Sequence, residues 1–257
     1  MSLHHELTGP ADAGVLVFSN SIGTTTALWD AQLAGLEERF RVLRYVHPGH
    51  GRSPVEADLT VEGMADEVLE LLDALGIGRF SWCGLSLGGM VGMALAVRAP
   101  ERLDRLVLAC TAAYLGPPEG WEKRAAIVHA DGLEAIADSV LARWFTPRFR
   151  EERPETVERF RRMLVTTPRD GYAACCGALG RWDARDRIHA IVAPTLVVVG
   201  ADDPATTLEH AEQMAAEVDG ARVVTLSDAA HLANVEAPEA FTQAVLDHMS
   251  VREEVGR

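Results

Sequence analysis

Cysteine is scarce in this 257-residue chain: Cys83, Cys110 and the adjacent Cys175 and Cys176 are all there is, and none stands in the C-x-x-C spacing of a zinc or redox site. They read as reduced, mostly buried thiols. Cations are in the minority too, with 24 Lys and Arg against 38 Asp and Glu. The formal charge of -14 repels phosphate backbones and anionic lipid at long range, so nucleic acid and membrane are poor partners. Long apolar runs are missing: stretches such as TLVVVG fall far short of the roughly 20 residues that a bilayer-spanning helix needs. The opening MSLHHELTGP lacks the apolar stretch of a secretory signal, and the expected location is the cytoplasm. Repeats and low-complexity segments are absent as well, which excludes a solenoid or a linker.

What is present fits one folded domain of enzyme size, with 48% hydrophobic and 24% charged residues. Short β-branched runs alternate with longer amphipathic stretches, the pattern of a mostly parallel sheet flanked by helices. The expected strands are Val15 to Ser19, Arg41 to Val46, Phe80 to Gly84, Leu103 to Ala109, Thr195 to Gly200 and Arg222 to Leu226, with Leu3 to Leu7 as an edge strand. Thr60 to Leu75 places Met64, Val68, Leu71, Leu72 and Leu75 on one helical face, starts at a Thr that can cap it and stops at Gly76. Between Ala109 and Thr195 the strand rhythm stops, and about four helical segments are expected, broken near Pro117-Pro118, Gly132, Pro147, Pro154 and Pro168. The expected organisation is an α/β core of residues 1–112 and 189–257 with an inserted helical cap of 113–188. An insertion at a strand's carboxyl end sits over the crevice where open α/β sheets bind ligands.

The chemistry centres on Gly84-Leu85-Ser86-Leu87-Gly88, which follows the strand RFSWC and precedes the helical GMVGMALAVRA. That is the context of a G-x-S-x-G nucleophile elbow, where a serine at the tip of a sharp strand-to-helix turn leaves no room for side chains two positions away. A serine hydroxyl needs a base, and this motif orders its partners Ser, acid, His. His231, in a loop after the last strand, is the expected base; His210 and His248 fall within helical stretches. Asp203, directly after TLVVV, is the expected acid that fixes the imidazole tautomer, with its neighbour Asp202 as the alternative. The oxyanion hole needs two amides, one from Leu87 after the nucleophile and one from the loop after the early strand, where Ile22 is the candidate. Asn20 and Ser21 in that loop are turn formers in their own right.

Other features read more simply. His47 and His50 form an H-x-x-H in a glycine-rich turn without carboxylate or Cys ligands, a structural pattern, and no metal is expected. Trp121, Met163 and Trp182 read as core packing. GLSLGG has Ser where a dinucleotide fingerprint needs its second Gly, and no cofactor is expected.

GLSLGG, GADDPAT and AAHLANVE together resemble the α/β-hydrolase superfamily, and SNSIGTTTALWDAQ, LARWFTP and DGYAACCGAL resemble more narrowly the bacterial 3-oxoadipate enol-lactonases, over about Leu3 to Met249. The resemblance implies Ser86 as nucleophile, Asp203 as acid, His231 as base and Ile22 and Leu87 as oxyanion donors. It implies a pocket near Trp144. The Ser-Asn-Ser form around Asn20, where many hydrolases have His-Gly, is distinctive of these lactonases and puts Asn20 among the substrate-binding residues. Arg181 stands one residue from the family's arginine position and is the expected partner of a substrate carboxylate, with Arg143 second. The chain departs from the pattern where Tyr45-Val46-His47-Pro48-Gly49-His50-Gly51 replaces a Tyr-Asp-x-Arg-Gly-His-Gly loop, which alters the loop's bracing. The expected function is opening of a small lactone by a cofactor-independent serine hydrolase. The alternatives are a general carboxylesterase, a hydrolase of secondary-metabolite esters or lactones, and a non-catalytic ligand-sensing protein of the same fold.

Overall fold

The computed structural model describes residues 3–55 and 58–250. A seven-stranded sheet in the order β1-β3-β2-β4-β5-β6-β7 forms the spine: β1 is His5–Thr8, β2 Val15–Ser19, β3 Arg41–Tyr45, β4 Phe80–Leu85, β5 Leu103–Ala109, β6 Thr195–Gly200 and β7 Arg222–Leu226. β1 is antiparallel to β3, and the other neighbours are parallel. β6 is buried at every position, as a strand covered on both faces must be, whereas β1 at the sheet's edge is half-buried throughout. The edge strand differs from the expected Leu3 to Leu7: the ladder runs from His5 opposite Tyr45 to Thr8 opposite Val42, and Leu3 joins the hydrophobic core.

Helices fill the crossovers. α1 (Asp30–Leu36) leads into β3, α2 (Val61–Ala74) into β4 and α3 (Leu87–Arg98) into β5. α2 behaves as its sequence dictates: Thr60 Oγ1 accepts from Gly63 N at 2.9 Å, Met64, Val68, Leu71 and Leu72 are buried, and Gly76 takes the left-handed conformation just past the end.

Five helices rather than about four separate β5 from β6: α4 (Glu119–Asp131), α5 (Glu134–Trp144), α6 (Pro147–Glu152), α7 (Pro154–Val165) and α8 (Arg169–Arg181). The extra one arises because Pro147 and Pro154 each open a helix at its first turn, where a missing N–H costs nothing. This block leaves and re-enters the core at one place, where Ala184 N donates to Ala113 O at 2.9 Å and Tyr114 bridges to Asp183. A second seam lies where Gly171 of α8 crosses Gly49 of the loop after β3, so closely that a Cβ on Gly171 would stand 1.9 Å from Gly49 O. After β6 come α9 (Leu208–Glu217), then β7, α10 (Ala233–Glu236) and α11 (Pro238–Ser250). No helix among the described residues is long and apolar enough to cross a membrane.

Candidate active site

β4 delivers the chain into a turn at Ser86, which sits at φ +57° and ψ -114°, a strained conformation for a residue with a Cβ. The turn is pinned: Ser86 N donates to Ala109 O at 2.8 Å, and Ser86 O accepts from Thr111 Oγ1 at 2.7 Å. Its flanking glycines are sterically required. A Cβ on Gly84 would meet Gly88 O at 2.1 Å, and one on Gly88 would meet Ser19 O at 2.3 Å.

The carboxylate of Asp203 and the imidazole of His231 come from the loops after β6 and β7. His231 Nδ1 stands 2.8 Å from Asp203 Oδ2, so the ring presents its other nitrogen elsewhere. Asp203 is held by its own turn: Oδ1 accepts from Ala205 N (2.8 Å) and Thr206 N (3.0 Å), and Oδ2 from Thr206 Oγ1 (2.5 Å). Burial works to raise the Asp203 carboxyl, but His231 and the Thr206 hydrogen bonds outweigh it and hold it below the usual carboxylate range. Asp202 is exposed, and Asp203 is buried.

The loop after β2 stands against the elbow. Gly88 N donates to Asn20 O at 3.0 Å, and among the described residues neither Leu87 N nor Ile22 N has a backbone acceptor. Two buried histidines brace this loop. His47 Nε2 donates to Asn20 O (2.8 Å), while Gly23 N donates to His50 Nε2 (2.9 Å) and His50 Nδ1 to Pro48 O (3.2 Å). Burial lowers both, His47 to about 3 with His50 adding to the effect, and His50 to about 4, so both rings are neutral. Among the described residues no three His, Cys, Asp or Glu side chains are grouped to hold a metal.

These elements close around a cavity of about 400 Å³ lined by Ser21, Ile22, Ser86, Thr206 and His231 from the core, and by Trp121, Arg124, Arg143, Trp144 and Tyr172 from the helical block. Trp144, matched by resemblance to a pocket tryptophan, lies in that wall. Two assignments change. Arg181 lies away from the cavity, its Nη2 donating to Leu59 O at 2.7 Å, because the helix end turns its side chain toward the start of α2. Asn20 does not face the cavity either: Nδ2 donates to Tyr45 O (2.6 Å) and Oδ1 accepts from Trp29 Nε1 (2.9 Å), so its side chain braces the loop. Trp121 packs against the core and also lines the cavity.

The cations that do line the cavity are Arg143, beside Trp144 in sequence, and Arg124, which lies one turn beyond Trp121 and stands 4.6 Å over its ring. Among the described residues neither forms an ion pair with a carboxylate. Burial and then the like charge of Arg124 lower the Arg143 guanidinium's affinity for its proton. Burial likewise pushes the Tyr172 hydroxyl up to about 12, against the pull of Arg124. Arg124 was legible only as a helical neighbour of Trp121, a spacing too common to single it out.

A family model of the α/β hydrolase fold matches residues 14–238. The chain belongs to the α/β-hydrolase fold family. Within it the resemblance narrows to carboxylic ester hydrolases. The chain is 37% identical to 3-oxoadipate enol-lactonase 2 of Acinetobacter baylyi, over 95% of this chain and 92% of that one. The enol-lactonase structure from Burkholderia xenovorans superposes with a TM-score of 0.95 at 40% identity, covering 97% of this chain and 96% of that one. A thermophilic esterase from Thermogutta terrifontis, solved with malate bound, gives a TM-score of 0.91 at 32% identity, covering 96% and 92%.

Proposed function

We propose that the protein is a serine hydrolase that opens a small carboxylated lactone, 3-oxoadipate enol-lactone, through an acyl-enzyme. The observation that carries the reading is the pairing, in one cavity, of Ser86 and His231 with two guanidiniums that have no carboxylate partner among the described residues. The enol-lactonase relatives support the same substrate class.

Ser86 Oγ attacks the lactone carbonyl while His231 accepts its proton, and Asp203 stabilises the imidazolium. The developing oxyanion lies toward the amides of Ile22 and Leu87. Collapse breaks the ring C–O bond. The leaving oxygen stays tethered to the acyl group, and His231 returns the proton to it. A water molecule, deprotonated by His231, then attacks the acyl carbonyl and releases Ser86 and the ring-opened acid. The enol so formed tautomerises to a ketone, which makes ring opening hard to reverse. Arg124 and Arg143 hold the substrate's carboxylate in a partly dry site, where charge-assisted hydrogen bonds are stronger than in water.

A general carboxylesterase is the second reading, favoured by the likeness to the thermophilic esterase and by the apolar residues Leu115, Val140 and Trp144 in the wall. The test of the mechanism is turnover of the enol-lactone by the purified protein and by Ser86→Ala, His231→Ala and the double variant. Each single change is expected to remove nearly all turnover, and the double variant to be little worse than either, because the groups act as a unit. A Ser86→Ala protein that retains substantial turnover would refute the acyl-enzyme.

A further inference from the structure

Immediately behind His231 the core is stitched to the helical block. His231 N donates to Arg143 O at 3.4 Å and Leu232 N to Trp144 O at 3.0 Å, so the two segments that present these side chains to the cavity run side by side. Beyond that seam sits Glu236, whose carboxylate the hydrolytic mechanism does not use. Its Oε1 accepts from Thr146 N (2.9 Å) and Thr146 Oγ1 (2.8 Å), and its Oε2 accepts from Ala230 N (2.6 Å), the residue before His231. Glu236 stands on a fixed base. Asn234 in the same short helix donates from Nδ2 to Leu28 O at 2.9 Å and Gln32 Oε1 at 3.1 Å, and Gln32 Nε2 donates back to Asn234 O at 2.8 Å.

All three groups facing Glu236 act as donors, and Thr146 Oγ1 already accepts from Phe149 N at 3.1 Å as the cap of α6. The position therefore calls for an acceptor on both oxygens. A glutamine would match its shape and still set an N–H against an N–H, which costs more than a lost bond because the mismatched donors are sheltered from water. Burial raises the Glu236 carboxyl, opposed by the Ala230 and Thr146 hydrogen bonds.

We propose that Glu236 is a positioning residue: its carboxylate locks the Ala230–His231 segment to the Arg143–Trp144 wall, so that substrate held against that wall meets the imidazole in register. The proposal rests on the reading of His231 as the base. Wild-type turnover of the carboxylated lactone and of its methyl ester is measured first and judges that reading. The variants are then compared with wild type on whichever substrate is turned over, and judge the coupling separately.

Active sites are counted with a fluorophosphonate before each rate is taken, so that misfolded protein does not enter kcat. Glu236→Gln is expected to lower kcat per titrated site by about tenfold or more with KM within about threefold, since orientation is lost and binding is kept. Thr146→Val, which removes one of the donors, is expected to cost about threefold, and Thr146→Ser, which keeps it, to restore the wild-type kcat. The double variant of Glu236→Gln and Thr146→Val is expected to be no worse than Glu236→Gln alone. An unchanged kcat per site in Glu236→Gln would overturn the proposal, as would a loss seen only as fewer titratable sites. Should Glu236→Gln fail to fold, the Thr146 pair decides alone: equal kcat in the Val and Ser variants overturns it.

Discussion

Recognition of an anion by a protein of net charge -14 has to be local, and at the residue scale that singles out two side chains. Arg124 and Arg143 line the cavity that holds Ser86 and His231, and Arg181 does not. Losing a charge-assisted pair in a partly dry site costs roughly 1.5–3 kcal/mol, so Arg143→Met and Arg124→Met are each expected to raise KM for the carboxylated lactone about tenfold or more. A small neutral ester is expected to change little. Arg181→Met is expected to leave both KM values within about twofold, which steady-state kinetics on the two substrates will check. The order Ser, Asp, His along the chain was enough to nominate Ser86, Asp203 and His231, because a nucleophile elbow and a strand-end acid leave local signatures. Substrate arginines leave none. Their use depends on which way a helix end turns, and a one-residue offset at Arg181 is a rotation of about 100° around the helix axis.

At the scale of elements, two close backbone crossings hold the site's frame. One is at the elbow, where Gly84 of β4 lies against Gly88 O of α3 and Gly88 lies against Ser19 O at the end of β2. The other is the contact of Gly171 in α8 with Gly49, which seats the helix that carries Tyr172 on the loop that carries His47 and His50. Both neighbours at that crossing are main chain and cannot swing aside. Gly171→Ala is therefore expected to lower stability by about 2 kcal/mol or more, read as a drop in the urea midpoint at unchanged slope. A midpoint within error of wild type would mean that the two segments part easily. The strands and α2 were legible because period and capping are local properties. The loop after β3 was legible only as a departure. The loss of its acid and arginine signalled different bracing, but which groups His47 and His50 would reach depends on Asn20 and Gly23, more than twenty residues away. The helix count went astray for a similar reason: a proline reads equally as the end of one helix and the start of the next.

For the molecule as a whole, buried neutral histidines make stability fall toward acid pH. His47 and His50 titrate at about 3 and about 4 in the fold, below the ordinary 6.5 of an exposed ring. Between those values the unfolded chain binds the extra proton, so stability is complete above about pH 6.5 and falls as pH drops. Each histidine contributes about 1.4 kcal/mol per pH unit through that window, or roughly 2 kcal/mol between pH 6.5 and 5. Asp203, held below the usual carboxylate range, acts with the same sign in a lower window: its contribution is present above the unfolded carboxyl value and is lost as pH falls below it. Urea unfolding at pH 7.5 and pH 5 is expected to show the loss, and His50→Gln to flatten the slope by about one proton; a flat profile in wild type would mean that the rings are not sheltered as described. The substrate claim concerns the whole molecule too, since overall charge repels the anion that the cavity's arginines attract. Its most direct test is the ratio of kcat/KM for the carboxylated enol-lactone and its methyl ester, two molecules with the same ring and reacting carbonyl. A preference of at least tenfold for the free acid is expected; a wild-type enzyme that handles the methyl ester equally well or better would contradict the assignment and leave a general esterase in its place.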